Sequence, residues 1–297
     1  MRRREMLKVA TAAVLGASAS PLAVGAPPET KKRKVLYFTR SAGFEHSVVR
    51  REGAQLSHSE KVLIEMGRKA GFEVECTKDG RVFDGNLDPY DVIAFYTTGD
   101  LTQPAKDGSS PMTPAGKQKL LDAIAAGKGF VGFHSATDTF HSKGPQNENQ
   151  VAVDPYIAMI GGEFLTHGAQ QEASLILVTR QFPGVGNIGM AEGIAFTDEW
   201  YTFKNFAKDL HVILVQETQM MKGDAYRRPD FPATWARLHG RGRVFYTSLG
   251  HREDIWTNPF FQAISLGGVA WASGNADADV KPNIDEVTPQ ARQLKNG

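Results

Sequence analysis

Short unbroken apolar runs in this chain alternate with longer stretches whose apolar residues recur every three or four positions, and that alternation predicts strands separated by helices. Residues 35–39 read as a first buried strand. Val62, Leu63 and Met66 fall at helical spacing within a helix over residues 59–70, which Gly71 stops. Residues 72–76 alternate as a second strand and residues 91–96 form a third. Thr113 caps a helix reaching residue 126, and residues 130–133 form a fourth strand. Strand, helix, strand, helix in that order predicts an α/β fold with a mostly parallel sheet covered by helices on both faces.

The middle of the chain is less regular. Residues 141–150 (HSKGPQNENQ) read as a polar loop, residues 155–160 as a helix, and residues 173–179 and 212–217 as further strands. Two strand-like runs within residues 233–249 flank His239, Gly240, Arg241, Gly242 and Arg243, and the glycines suit a tight reversal, so a hairpin is expected there. Its second strand ends at Gly250 and His251, and a closing helix follows over residues 258–271. The polar, Pro-containing tail after Gly274 is expected to be loosely held. No internal repeat is visible.

Residues 1–26 stand apart from this pattern. Arg2, Arg3 and Arg4 precede an Ala-rich apolar run, and Val24, Gly25 and Ala26 offer small residues for cleavage, so a signal peptide is expected. Arg3 and Arg4 followed by Glu5, Met6, Leu7 and Lys8 resemble a twin-arginine signal, which implies export of the folded protein to the periplasm or beyond. The rival is an uncleaved anchor, but Ser18, Ser20 and Pro21 break the run, which falls short of the roughly 20 residues a bilayer span needs. The expected division is therefore a leader over 1–26, one domain over 33–274 and a tail over 275–297.

Charge narrows the partners. The whole chain carries 34 Lys plus Arg against 33 Asp plus Glu; the leader holds four of the former and one of the latter, so without it the net charge falls from +1 to −2. A nucleic-acid partner is not expected, because the only basic run, residues 31–34, leads into the first strand instead of forming a stripe. Cys76 is the only cysteine, so no intramolecular disulfide supports the fold and burial of the core must.

The chemistry concentrates in GFVGFHSATDTFH, residues 129–141, where a buried strand ends in His, Ser, Asp and Thr. Groups at the carboxyl ends of parallel strands face the crevice where ligands bind, which places His134 and Asp138 there. His46 lies in the loop after the first strand and His251 directly after the hairpin's second strand, so both are expected at the same edge. His239, at the hairpin turn, belongs at the opposite end. His58 and His211 read as capping or solvated residues. His167 sits in an irregular stretch that a loop could fold over the crevice, and Glu199, Trp200 and Tyr201 put a carboxylate beside two aromatics, a combination suited to binding a sugar.

Four segments together carry a family resemblance: VLYFTRSAGFEHSVV, VGFHSATDTF, DEWYTF and PATWARLHGRGRVFYTSLGHREDIWTNPFF. They resemble the ThuA-like family, named for trehalose utilisation, in consistent order over residues 35–274. The resemblance implies a flavodoxin-like fold related to class I glutamine amidotransferases. In those enzymes a strand-to-helix elbow carries a nucleophilic cysteine and a catalytic histidine follows a later strand; here the corresponding positions resemble His134 and His251. Cys76, at the end of the second strand, is not at that elbow, so glutamine hydrolysis is not carried over. Ser135 is a weak substitute, one residue past the elbow and without the usual flanking glycines.

Two chemistries stay open for this crevice. In one, the imidazoles of His46, His134 and His251 together with an acid hold a divalent metal, zinc foremost, with Asp138 and Glu199 as ligands or orienters. In the other, His134, His251 and Asp138 act as acid and base without metal. No nucleotide cofactor is expected. The family is associated with sugar pathways in which an oxidoreductase makes a 3-keto-glycoside, which implies a hydrolase or lyase acting on a keto-sugar, with that oxidoreductase as a pathway partner. The alternative is a non-catalytic carbohydrate-binding or accessory protein.

Overall fold

The sheet that positions the crevice starts from runs with no polar residue to expose. In the computed structural model the described residues are 33–186 and 193–295, so the expected leader lies outside them. Strand β1 (Lys34–Phe38) buries every residue but its first. Alternation along a strand sends successive side chains to opposite faces. Val35 and Tyr37 accordingly join one core cluster with Leu63 and Phe261, while Leu36 and Phe38 join a second with Leu120 and Ile124. A strand buried on both faces reads as continuous hydrophobicity, the mark of a parallel sheet between helices.

Helix α1 (His58–Ala70) begins where Ser57 and Glu60 form a reciprocal capping box and ends at Gly71, whose left-handed φ of 84° only glycine adopts without cost. Strands β2 (Glu73–Thr77) and β3 (Val92–Phe95) follow, then α2 (Pro114–Ala125), capped by Thr113 as expected, and β4 (Gly129–Phe133). Next come α3 (Pro155–Ile160), β5 (Glu163–His167), β6 (Gln171–Leu177), β7 (Gly193–Asp198), β8 (Tyr201–Lys204) and β9 (His211–Gln216). The hairpin of β10 (Phe231–His239) and β11 (Gly242–Thr247) precedes α4 (Glu253–Trp256), α5 (Pro259–Ala272) and α6 (Ile284–Val287).

The large sheet has nine strands in the order β2-β1-β3-β4-β11-β10-β9-β6-β7. Its first five strands are parallel, in the flavodoxin-like order with the reversal between β1 and β3, and β11 takes the fifth place beside β4. From β10 onward the strands are antiparallel. The expected hairpin is therefore the seam between the two halves.

Two features differ from the expectation. Strands β5 and β8 pair into a separate two-stranded antiparallel sheet. Neither showed in the apolar pattern, since β5 ends in exposed Thr166 and His167 and β8 is only four residues long. The tail after Gly274 is docked, not loose: Ile284, Thr288 and Ala291 are buried, and the Ala291 carbonyl accepts a hydrogen bond from buried Arg228 at 2.7 Å. Its few apolar residues are spaced to reach the main body once α6 forms. No helix among the described residues is long and apolar enough to cross a membrane.

Candidate metal centre and functional site

Because β1, β4 and β11 run parallel, the residues after them share one edge. His46 follows β1 and opens a short turn over Ser47–Val49, where buried Val48 and Val49 anchor the loop. His134 follows β4 directly, in a strained backbone conformation with φ 39°. Two contacts hold that elbow: the Tyr246 hydroxyl donates to the His134 carbonyl at 2.6 Å, and the ring Nδ1 lies 2.8 Å from the Ser248 carbonyl. His251 follows Gly250, whose φ of 117° turns the chain toward the crevice.

Glu199 arrives from the far edge of the sheet, at the end of β7. The preceding residue, Asp198, is wholly buried and ties that end to the turn after β11. Its Oδ1 accepts from the backbone N–H of Glu199 (3.0 Å) and of Arg252 (3.2 Å), and its Oδ2 accepts from Gly250 N–H at 2.9 Å.

These elements bring His46, His134, His251 and Glu199 together, with one ligand-type atom from each lying within 4.8 Å of the others. The three rings stand nearly perpendicular in pairs, with centroids 5.0, 5.1 and 5.3 Å apart. Glu199 Oε2 lies 3.1 Å from His251 Nδ1, 3.5 Å from His134 Nε2 and 3.9 Å from His46 Nε2. Burial, then repulsion from His134 and His251, pushes His46 down to about 2, so its ring is neutral near pH 7. Burial also opposes the charge on Glu199, but the imidazole nitrogens of His134 and His251 outweigh it and hold the carboxyl well below the usual carboxylate range.

The set fits a divalent ion. A carbonyl oxygen only accepts, so His134 Nδ1 carries a proton toward Ser248, and Nε2 is the nitrogen that would turn to an ion. That Nε2 is buried with no hydrogen-bond partner, and so are His46 Nδ1 and His251 Nδ1. Two of these, His134 Nε2 and His251 Nδ1, face Glu199 Oε2, and buried nitrogens crowded on a carboxylate are unfavourable unless protons or a cation lie among them. Three nitrogens and one carboxylate oxygen match the ligand types of zinc; its tetrahedral donors stand about 3.3 Å apart, so the set would draw in from separations of up to 4.8 Å.

The remaining expected site residues are placed as follows. His167, at the end of β5, joins the rim: its ring is stacked on Tyr201, and Nδ1 lies 3.3 Å from Glu199 Oε1. Tyr201 lies beneath the cluster, with its ring centroid 4.2 Å from that of His134 and its hydroxyl 3.3 Å from His46 Nε2. Trp200 departs from the sugar-stacking expectation: it is fully buried and its indole N–H donates to the Gln171 carbonyl, because alternation beside Tyr201 turns it into the core. Glu199, expected either to bind sugar or to serve as a ligand or orienter, sits among the imidazoles.

Asp138 lies beside the cluster instead of in it, with Oδ1 2.7 Å from His141 Nε2. His141 drew no attention in the sequence because it opens a polar loop; its spacing of three from Asp138 was the available signal. His239 ends β10, His211 Nδ1 lies 2.8 Å from the Lys281 carbonyl, and His58 Nε2 lies 3.1 Å from the Glu253 carbonyl. Cys76 is on β2, and burial pushes its thiol up to about 12, so it is no thiolate nucleophile. Ser135 is wholly buried and its Oγ has no hydrogen-bond partner, so no base activates it.

Comparison with known proteins agrees with this architecture. No curated protein is significantly similar to the chain in sequence. Among solved structures, a ThuA-like protein from Bacteroides uniformis superposes with a TM-score of 0.58 at 19% identity, covering 86% of this chain and 95% of its own. A ThuA-like protein from Parabacteroides merdae gives 0.58 at 18% identity, covering 90% and 100%. A cytoplasmic protein from Salmonella typhimurium gives 0.50 at 13% identity, covering 81% and 98%. At these identities the likeness shows the fold. The ThuA family profile, described as trehalose utilisation, matches residues 34–272, and the chain belongs to the ThuA family.

Proposed function

We propose that this chain is a carbohydrate-processing enzyme acting on a keto-sugar or glycoside, such as a 3-keto-disaccharide, by histidine and carboxylate acid–base chemistry beside a divalent ion. Membership of a trehalose-utilisation family supports a carbohydrate-related role. The observation that carries the enzymatic reading is the convergence of His46, His134, His251 and Glu199 at the strand ends, with three ring nitrogens left unpartnered. A pure binder has no use for such a set.

In a keto-sugar a ketone at C3 acidifies the proton at C2, which opens cleavage of the C1 substituent by elimination and hydration. That needs a base, an acid and stabilisation of the enolate. An ion held by the four donors would supply Lewis acidity by taking a sugar oxygen as a fifth ligand. His167 suits the base: its Nδ1 lies 2.9 Å from the Gly168 carbonyl and so carries the proton, leaving Nε2 free on an exposed ring. Asp138 shares one oxygen with the His141 cation, and that pair suits proton delivery to a leaving group or its positioning. Tyr201 fixes the planes of His134 and His167. The twin-arginine-like leader supports a location in the periplasm or outside the cell, where a sugar oxidoreductase of the same pathway would supply the keto substrate.

The test is turnover on a panel of 3-keto-disaccharides, with and without the divalent ion that copurifies. Wild type is expected to turn over at least one, and His134→Ala to abolish turnover while sparing sugar affinity. Equal loss of both, or sugar binding without turnover on the whole panel, would favour the binding-protein reading.

A further inference from the structure

A cavity of about 330 Å³ opens between Asp138–Ser142 and the small β5–β8 sheet. Its walls include Asp138, His141, Gln146, Glu163, Phe164 and Lys204, none of which belongs to the cluster. Its floor is rigid. Wholly buried Glu163 accepts from Asn205 Nδ2 at 2.7 Å and from Ser142 N–H at 3.1 Å, and lies 3.7 Å from Lys204 Nζ. His141 bridges Glu163 and Asp138, at 3.2 Å and 2.7 Å. Hydrogen bonds to Asp138 and then Glu163 hold its ring up at about 9 against burial, so it is a cation near pH 7.

Two cations therefore balance two carboxylates, and the cavity is polar without net charge. It selects against neither sign, and what it offers is hydrogen-bonding density. One wall differs: the Phe164 ring is partly exposed, 6.1 Å from His167 and 4.2 Å from Tyr201. His167 in turn reaches Glu199, so two partly exposed rings join the cavity to the cluster. A neutral ligand rich in hydroxyls, with one apolar face, is a sugar ring. The volume lies at the low end of the roughly 300–1,000 Å³ of small-molecule sites and has room for one sugar ring.

Resting on the carbohydrate reading above, we infer that this cavity is a second glycosyl subsite. One ring of a disaccharide lies beside the four-donor cluster and the other is held among Asp138, His141, Gln146 and Phe164, so the two-ring ligand is preferred over the single sugar.

The experiment is NMR-detected titration of the full chain, as purified, with trehalose and with glucose. Two variants accompany wild type: Gln146→Trp, which fills the cavity from an exposed position, and His141→Ala, which removes a polar wall. Wild type is expected to bind trehalose roughly tenfold or more tighter than glucose, the worth of a few hydrogen bonds. Gln146→Trp is expected to bring trehalose down to the level of glucose while leaving glucose affinity and metal content unchanged. His141→Ala is expected to do the same, and if melting curves show that it does not fold, the plugged variant decides alone. Unchanged trehalose affinity in the plugged variant, or an equal loss for both sugars, would overturn the subsite and leave the carbohydrate reading standing. Wild type that binds neither sugar would overturn the subsite as stated, and the turnover panel on 3-keto-disaccharides decides the carbohydrate reading separately.

Discussion

Replacing Asp198 by Asn tests how the candidate metal centre is held together. One buried carboxylate gathers three backbone N–H groups, from Glu199, Gly250 and Arg252, and so fixes Glu199 relative to His251. Asn keeps the shape but has one acceptor oxygen. With Oδ1 serving Glu199 and Arg252, the amide nitrogen meets the Gly250 N–H donor to donor. That removes one charge-assisted hydrogen bond and leaves a buried N–H unpaired, a loss of about 1.5–3 kcal/mol. Burial pushes the Asp198 pKa up, so its ionised form carries a desolvation cost that Asn avoids. The net expected destabilisation is therefore about 1–2 kcal/mol. Urea denaturation at neutral pH reads it as a lower midpoint with an unchanged slope. Titration of the same variant with zinc is expected to show roughly 10- to 100-fold weaker binding, the usual effect of losing a group that orients metal ligands. Wild-type stability together with wild-type zinc affinity would refute the clamp, and destabilisation with full zinc affinity would refute its role in placing Glu199.

Three further outcomes follow from particular contacts. His141, raised to about 9 by Asp138 and Glu163, has an unfolded value of about 6.5, so its contribution to stability is full below about 6.5 and is lost as pH rises through about 9. The melting-temperature gap between wild type and His141→Gln should be widest in mildly acidic buffer and close in alkaline buffer; a gap that widens with pH contradicts the assignment. Gly250→Ala meets no hard contact, its nearest neighbours being ring atoms 3.4 Å away, so the cost is the φ of 117°. Denaturation should show a loss of roughly 1–3 kcal/mol, and unchanged stability would count against the strained turn. Glu60 is wholly buried and bonded to Arg51, Thr39 and the Ser57 N–H, so Glu60→Ala should cost about 3–5 kcal/mol, and a loss under about 1 kcal/mol would show the network to be dispensable.

The parallel half of the sheet was legible because β1, β3 and β4 are buried on both faces and so carry continuous apolar runs. The three histidines of the cluster were legible for a related reason: once the strands are parallel, residues following them must share an edge. Glu199 was legible as a sugar-binding carboxylate or as a ligand or orienter, but not as which of the two. It reaches the imidazoles only because β7 pairs at the far edge of the sheet and Asp198 ties its end to the turn after β11, contacts that span some fifty residues of chain. Trp200 shows the limit of composition: the same residue type one step along faces the opposite side. The β5–β8 sheet and His141 escaped notice because their partners are distant, Glu163 lying across the cavity from a loop that reads as solvated.

The central claim is that His46, His134, His251 and Glu199 hold one divalent ion. Elemental analysis of the full chain purified without chelator tests it most directly. The expected result is one divalent ion per chain, most readily zinc, lost in His134→Ala while the variant stays folded. A wild-type protein that binds no divalent ion on titration, or a folded His134→Ala that retains it in full, would contradict the account.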